Sequence, residues 1–216
     1  MDSGFILDRV MIIIPLILSL TVHEWAHAWS ANLLGDDTAS RQGRLTLDPL
    51  VHIDPIGTLL LPIMGVPFGW AKPVPVNPAR FTRKISMAKG LLLTAAAGPA
   101  SNVVLAFLCT VLLAVLFRTA PEWLLRNAAV FYLLRYGLLL NLSLAVFNML
   151  PIPPLDGSRV AEGLLPYRWR GIWERYARYG ALVLLAVIFL PMFVPGLSPI
   201  GWVVSVADRT LQAILM

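Results

Sequence analysis

Residues 90–117 form a run of 28 residues without a single charged side chain. About 20 apolar residues cross the hydrocarbon core of a bilayer as a helix. A soluble domain has no core wide enough to hide such a run, so the chain is read as an all-α polytopic membrane protein. Composition agrees: 58% of residues are hydrophobic and 13% charged, against roughly 45–50% and about 25% in soluble domains.

Apolar runs place further spans near residues 10–34, 128–150 and 179–194. A fifth, residues 200–216, contains Asp208 and Arg209 and reads either as a span or as an interfacial helix with Trp202 at the headgroups. The expectation is about five transmembrane helices in a single integral-membrane domain over residues 1–216, with a core at 10–160 and C-terminal helices at 176–216. Residues 50–66 are apolar but broken by His52, Asp54, Pro55, Gly57 and Pro62, which suggests a re-entrant or interfacial segment. Residues 66–76, punctuated by Gly and Pro around short β-prone pieces, suggest a β-hairpin-like loop able to offer an edge to a peptide.

The formal charge of +5 does not indicate nucleic acid, because the basic residues form no stripe with interleaved aromatics. They follow the positive-inside pattern instead. Arg41, Arg44, Lys72, Arg80, Arg83, Lys84 and Lys89 fall between the first two spans, and Arg159, Arg168, Arg170, Arg175 and Arg178 between the third and fourth. Both loops are therefore expected in the cytoplasm, with the N-terminus external and the C-terminus cytoplasmic. The single cysteine, Cys109, lies in the longest apolar run and offers neither a disulfide nor a cysteine-based metal site.

Within the first span stands His23-Glu24-Trp25-Ala26-His27. Four residues on an α-helix bring the two imidazoles to one face, one turn apart, where they can share a zinc ion. Glu24 is then free to take a proton from the attacking water and pass it to a leaving amine. In a soluble protein five residues with three fixed positions arise by chance. Inside an apolar span an ionisable side chain costs about 2.5–3.5 kcal/mol on insertion scales, so its presence points to function.

A catalytic zinc needs a third protein ligand and an open position. Asp48, His52, Asp54 and Asp156 lie near span ends. Asp156 closes the third span in Asn148-Met-Leu-Pro151-Ile-Pro153-Pro154-Leu-Asp156-Gly157. Asp-Gly after prolines is more often a turn than a ligand, but the expected topology brings this end of the third span to the depth at which the first span ends. His52, beside Asp54, reads as a hydrogen-bonded or interfacial residue, and Arg135 as a snorkelling side chain. Asn102 has two readings, a structural one that satisfies backbone groups freed by Pro99 or bridges to another helix, and one polarising a scissile carbonyl or holding the oxyanion.

Together, H-E-x-x-H on one span and N-x-x-P-x-P-x-L-D-G closing a later one resemble the site-2 protease family of intramembrane zinc metalloproteases. Gly98-Pro-Ala-Ser-Asn102 and the Gly-Trp-Ala-Lys-Pro-Val-Pro loop from Gly69 resemble further family elements, so the likeness covers roughly residues 10–160. The resemblance implies one Zn2+ per chain held by His23, His27 and Asp156, Glu24 as catalytic base, and Asn148, Pro151 and Pro153 holding substrate. It also implies hydrolysis of transmembrane protein substrates in a bacterial or archaeal membrane, which the basic-loop topology would place near the cytoplasmic side; the appended soluble domain often found in the family is not expected here. The rival reading is a membrane metal transporter using the same His/His/Asp group, which has no use for Glu24 between its ligands.

Overall fold

The computed structural model describes residues 3–64, 69–194, 201–202 and 204–209. Helix is the dominant structure and no strand occurs among the described residues. Three helices are long and apolar enough to cross a membrane. These are α1 (Ser3–Leu33, of which Met11–Leu33 is the candidate span), α4 (Met87–Thr119) and α6 (Ala128–Asn148). Shorter helices connect them: α2 (Thr38–Arg41), α3 (Leu61–Ile63), α5 (Pro121–Arg126), α7 (Asp156–Leu164), α8 (Arg170–Ala177) and α9 (Gly180–Phe193).

Helix α4 is the central element, packed on α1, α6 and α7. Its buried residues explain why. Gly90, Thr94, Gly98, Asn102 and Ala106 recur every fourth position and are all buried, which makes a stripe of small side chains along one ridge of the helix. Helices in lipid gain little from hiding apolar surface from one another, so small residues that admit close backbone approach favour association. Bulky residues of α4 such as Val104, Phe107 and Leu112 stay exposed, as a lipid-facing surface requires.

Helix α1 offers a matching face at Leu16, Ser19, Leu20, His23, Glu24, His27, Ala28 and Ala31, all buried and spaced three or four apart. It runs antiparallel to α4, since His27 meets Thr94 while His23 meets Asn102. Helix α6 is antiparallel to α4 and parallel to α1, with Leu16 and Leu20 packed beside Leu140 and Leu144. Farther along, Ala106, Leu113 and Leu138 form an apolar cluster closed by Cys109, Phe131, Leu134 and Leu142. Cys109 is thus a packing residue.

Of the about five spans expected, the described residues show three. The fourth apolar run forms α9, with 14 residues, about 21 Å of helix at 1.5 Å per residue against a hydrocarbon core of about 30 Å. Residues 204–209 of the fifth are helical, while 210–216 lie outside the described residues. Arg135 does not merely snorkel: its guanidinium donates to both carboxylate oxygens of Asp208, at 2.9 and 3.0 Å. That pair ties the C-terminal segment to α6.

The expected re-entrant segment is a broken helix against α1. A single turn at Pro49–Val51 is followed by a wide turn at Pro55–Leu60 that leads into α3. Asp48 and Asp54 cap these turns through their carboxylates. The hairpin expected at 66–76 falls partly on residues outside those described. From Gly69 onward the chain is an extended strap without a partner strand among the described residues.

Leu113 is fully buried, whereas its neighbour Leu112 is largely exposed. Leu113→Ala should destabilise the detergent-solubilised protein by about 2–4 kcal/mol, read by reversible SDS or thermal unfolding, and Leu112→Ala should change it by less than about 0.5 kcal/mol.

Candidate metal centre

Three potential ligand atoms converge where α1, α4 and the start of α7 meet. His23 Nε2, His27 Nε2 and Asp156 Oδ2 form a triangle with edges of 3.0 Å between the imidazoles and 3.1 and 3.3 Å to the carboxylate. A tetrahedral zinc ion with bonds of about 2.0–2.1 Å keeps its ligand atoms about 3.3–3.4 Å apart. The side chains therefore stand close to the spacing that such an ion imposes.

Their hydrogen bonds face outward. His27 Nδ1–H donates to the Thr94 carbonyl at 2.7 Å, and His23 Nδ1–H donates to Asn102 Oδ1 at 2.6 Å. A carbonyl oxygen can only accept, so the proton of neutral His27 resides on Nδ1 and its Nε2 presents a lone pair. Two such lone pairs and a carboxylate oxygen pointing at one another repel unless a cation lies among them. The donor set, two nitrogens and one oxygen, suits zinc.

Gly98 is what lets α4 approach. A Cβ at this position would come within 2.7 Å of His23 Cε1 and closer still to His27 Nε2. A second glycine places Asp156. Between α6 and α7 the chain turns so sharply that a Cβ on Gly157 would strike the carbonyls of Met149 and Leu150. Asp156, in the first turn of α7, is thereby held at the end of α6.

Glu24 is buried beside the triangle, and its Oε2 accepts the backbone N–H of Val74 at 2.8 Å. The strap that supplies this donor is secured at alternate residues. Trp70 bonds to Gly57 and Thr58, Lys72 to His52 and Arg44, and Asn77 N–H donates to the buried Asp36. His52, at 1% exposure, donates through Nε2 to the Thr46 carbonyl. It secures the strap and has no place in the His/His/Asp group. Of the four residues weighed as third ligand, only Asp156 joins the two histidines.

The remaining candidates divide. Asn102 is fully buried, with Oδ1 engaged by His23 and Nδ2 donating to Asn141 Oδ1 at 2.7 Å and to the Ser19 carbonyl at 3.5 Å. Its amide hydrogens thus meet acceptors on α1 and α6. Asn148, the last residue of α6, is half-buried and its amide makes no hydrogen bond among the described residues. Pro151 is exposed at the α6–α7 turn, where its carbonyl accepts the Tyr176 hydroxyl, and Pro153 packs against Gly180. Thr94 and Asn141 escaped notice in the sequence, while Gly98 and Val74 stood out only as parts of motifs that resemble family elements. The four-residue recurrence from Gly90 to Ala106 was the available signal for Thr94 and for the packing role of Gly98.

Residues 122–191 match the family model described as Peptidase family M50. A Bacillus subtilis (strain 168) protein assigned by its name as a zinc metalloprotease, YwhC, is 43% identical over 182 residues, covering 84% of this chain and 81% of its own. Rip2 of Mycobacterium tuberculosis (strain ATCC 25618 / H37Rv), named likewise, is 34% identical over 182 residues, 84% of this chain and 67% of its own. MJ0611 of Methanocaldococcus jannaschii, also so named, is 44% identical over 75 residues, 35% of each chain. No solved structure matches the chain.

Because Gly98 has no room for a methyl group, Gly98→Ala should displace one imidazole and lower zinc occupancy of the purified protein several-fold, measured by elemental analysis. Ser101→Ala, one helical turn away on a residue that bonds only its own helix, should leave zinc occupancy unchanged.

Proposed function

The chain belongs to peptidase family M50, an integral-membrane zinc metallopeptidase, and from that premise we propose that it hydrolyses peptide bonds of membrane-spanning protein substrates near the cytoplasmic face. The observation that carries this reading is the convergence of His23, His27 and Asp156 with Glu24 beside them, inside a bundle of spanning helices.

His23 and His27 through Nε2, and Asp156 through Oδ2, are the zinc ligands in this reading. Bound there, zinc supplies Lewis acidity that activates water and polarises the scissile carbonyl. Glu24 is the base. Its carboxylate takes a proton from the attacking water as the oxygen bonds to the carbonyl carbon, then delivers that proton to the amine nitrogen as the C–N bond breaks. The Val74 N–H holds one Glu24 oxygen, which fixes the carboxylate plane and leaves the other oxygen for the proton.

Substrate must arrive unwound, because helical carbonyls are engaged in internal bonds and screened by side chains. The strap over residues 69–77 is suited to hold such a segment. Its even residues 70, 72 and 74 bond to the protein. The alternation of an extended chain leaves Ala71, Pro73 and Pro75 on the opposite edge. Two of those have no N–H, so this edge accepts hydrogen bonds far more than it donates, and a substrate would be held chiefly through its own amide hydrogens. Asn148, with an uncommitted amide at the end of α6, is the side chain suited to the substrate carbonyl, with Pro151 and Pro153 shaping the approach.

The side follows from the basic loops. Arg41, Arg44, Lys72, Arg80, Arg83, Lys84 and Lys89 lie between α1 and α4, and Arg159 lies in α7 beyond α6. The positive-inside rule puts both connections, and with them the ends of α1 and α6 that bear the site, toward the cytoplasm with the N-terminus external.

In proteoliposomes with a single-span reporter substrate, Glu24→Gln should retain zinc and slow cleavage by about 10²–10⁴-fold. Cleavage by that variant at the unaltered rate would overturn the assignment of the base. Fragment masses that place the scissile bond outside the cytoplasmic third of the reporter's span would overturn the assignment of the side.

A further inference from the structure

Four buried polar residues from three spanning helices form one continuous row: Ser19 and His23 of α1, Asn102 of α4 and Asn141 of α6, at 2, 4, 0 and 3% exposure. The direction of every bond in the row is determined. Asn141 Nδ2–H donates to the Gly137 carbonyl at 2.7 Å and to Ser19 Oγ at 2.9 Å. A carbonyl only accepts, so Asn141 turns its Oδ1 toward Asn102. Asn102 must then aim Nδ2 at Asn141 and at the Ser19 carbonyl, and Oδ1 at His23.

We propose that Asn141 and Ser19, acting through Asn102, are positioning residues for the metal site. They set the tautomer and ring orientation of His23, so zinc affinity depends on a residue of α6 that touches none of the ligands.

The alternative orientation shows what the row prevents. With its amide flipped, Asn102 would turn N–H groups toward His23 Nδ1. The imidazole could bond to them only by moving its proton to Nε2, the atom that must offer a lone pair to the metal. That flip would also set Asn102 Oδ1 against Asn141 Oδ1 and the Ser19 carbonyl, three acceptors without a hydrogen. Inside a bilayer no bulk water relieves such a mismatch. His27 needs no comparable device, because its Nδ1–H meets the Thr94 backbone carbonyl, which cannot flip. The two histidines therefore differ: His23 alone relies on a side-chain amide, and that amide relies on α6.

The inference rests on His23 being a zinc ligand, and the test separates the two. Zinc affinity of the purified full chain is measured by competition with a chromophoric chelator, and the Co2+ form supplies a ligand-field spectrum. Asn102→Leu should weaken zinc by about 10–100-fold, the range for residues that orient a ligand. Asn141→Leu should weaken it less, and the double variant should be no worse than Asn102→Leu alone. Asn102→Asp offers His23 two equivalent oxygens and cannot flip, so in its background Asn141→Leu should cost no further affinity and leave the Co2+ spectrum unmoved. Ser143→Ala, which removes a hydroxyl of α6 bonded only to its own helix, should change neither reading. Unchanged zinc affinity in folded Asn141→Leu, or an equal loss with and without Asn102→Asp, overturns the proposal. Should Asn141→Leu not fold, Asn141→Ser, too short to reach Asn102, carries the same readings. Zinc retained at full affinity by His23→Ala would overturn the ligand assignment and the relay with it.

Discussion

Two imidazoles can turn free lone pairs toward each other inside an apolar bundle only if each has an acceptor for its other nitrogen. The rest of this structure depends on that requirement. Thr94 meets it for His27 and Asn102 for His23, and the two acceptors sit eight residues apart on α4, with Gly98 midway. The spacing works because α1 and α4 run antiparallel in close contact, and the contact is close because the facing ridge of α4 carries small side chains. Packing and chemistry are here one problem. The glycine that permits the helix approach is the one that leaves space for the imidazoles.

Around this contact the other elements each contribute one group. Helix α6 delivers Asp156 by ending in a turn too tight for any residue but glycine at 157. The strap after the broken helix delivers the Val74 N–H to Glu24, secured by bonds at alternate residues from Trp70 to Val74. Asp156 keeps 18% of its side chain exposed, against 5% for His23. The aspartate side is accordingly the more open side of the triangle.

Much of this was legible in the residues, for definite reasons. A charge-free run of 28 residues has no place but a membrane, and a His-Glu pair placed in such surroundings is too costly to be incidental. Asp156 could be singled out because span parity brings the ends of the first and third spans to one side. The strap's contact with the base could not be foreseen, since it is made by a backbone N–H, which every residue but proline carries. Asn102 was ambiguous because a buried amide serves equally as donor or acceptor until its neighbours are known, and Asn141, a lone amide in an apolar helix, gave no signal of its own. The C-terminal runs were the least legible, because hydropathy reports apolar length and not where a helix ends: α9 ends at Phe193, and part of the last run lies outside the described residues.

By itself the sequence determined the class of the protein and its spanning core and pointed to candidate metal ligands and a candidate base, because those follow from local spacing and from the cost of placing polar groups in lipid. Only the tertiary structure shows which nitrogen of each histidine faces the His/His/Asp triangle, that Asn102 bonds His23, Asn141 and the Ser19 carbonyl, and that Asp48, His52 and Asp54 stand outside the triangle. Each of those depends on which helix faces which, and at what depth. The small side chains along α4 and the hydrogen-bonding direction of three buried amides and carbonyls set that register, and they act only once the helices are together.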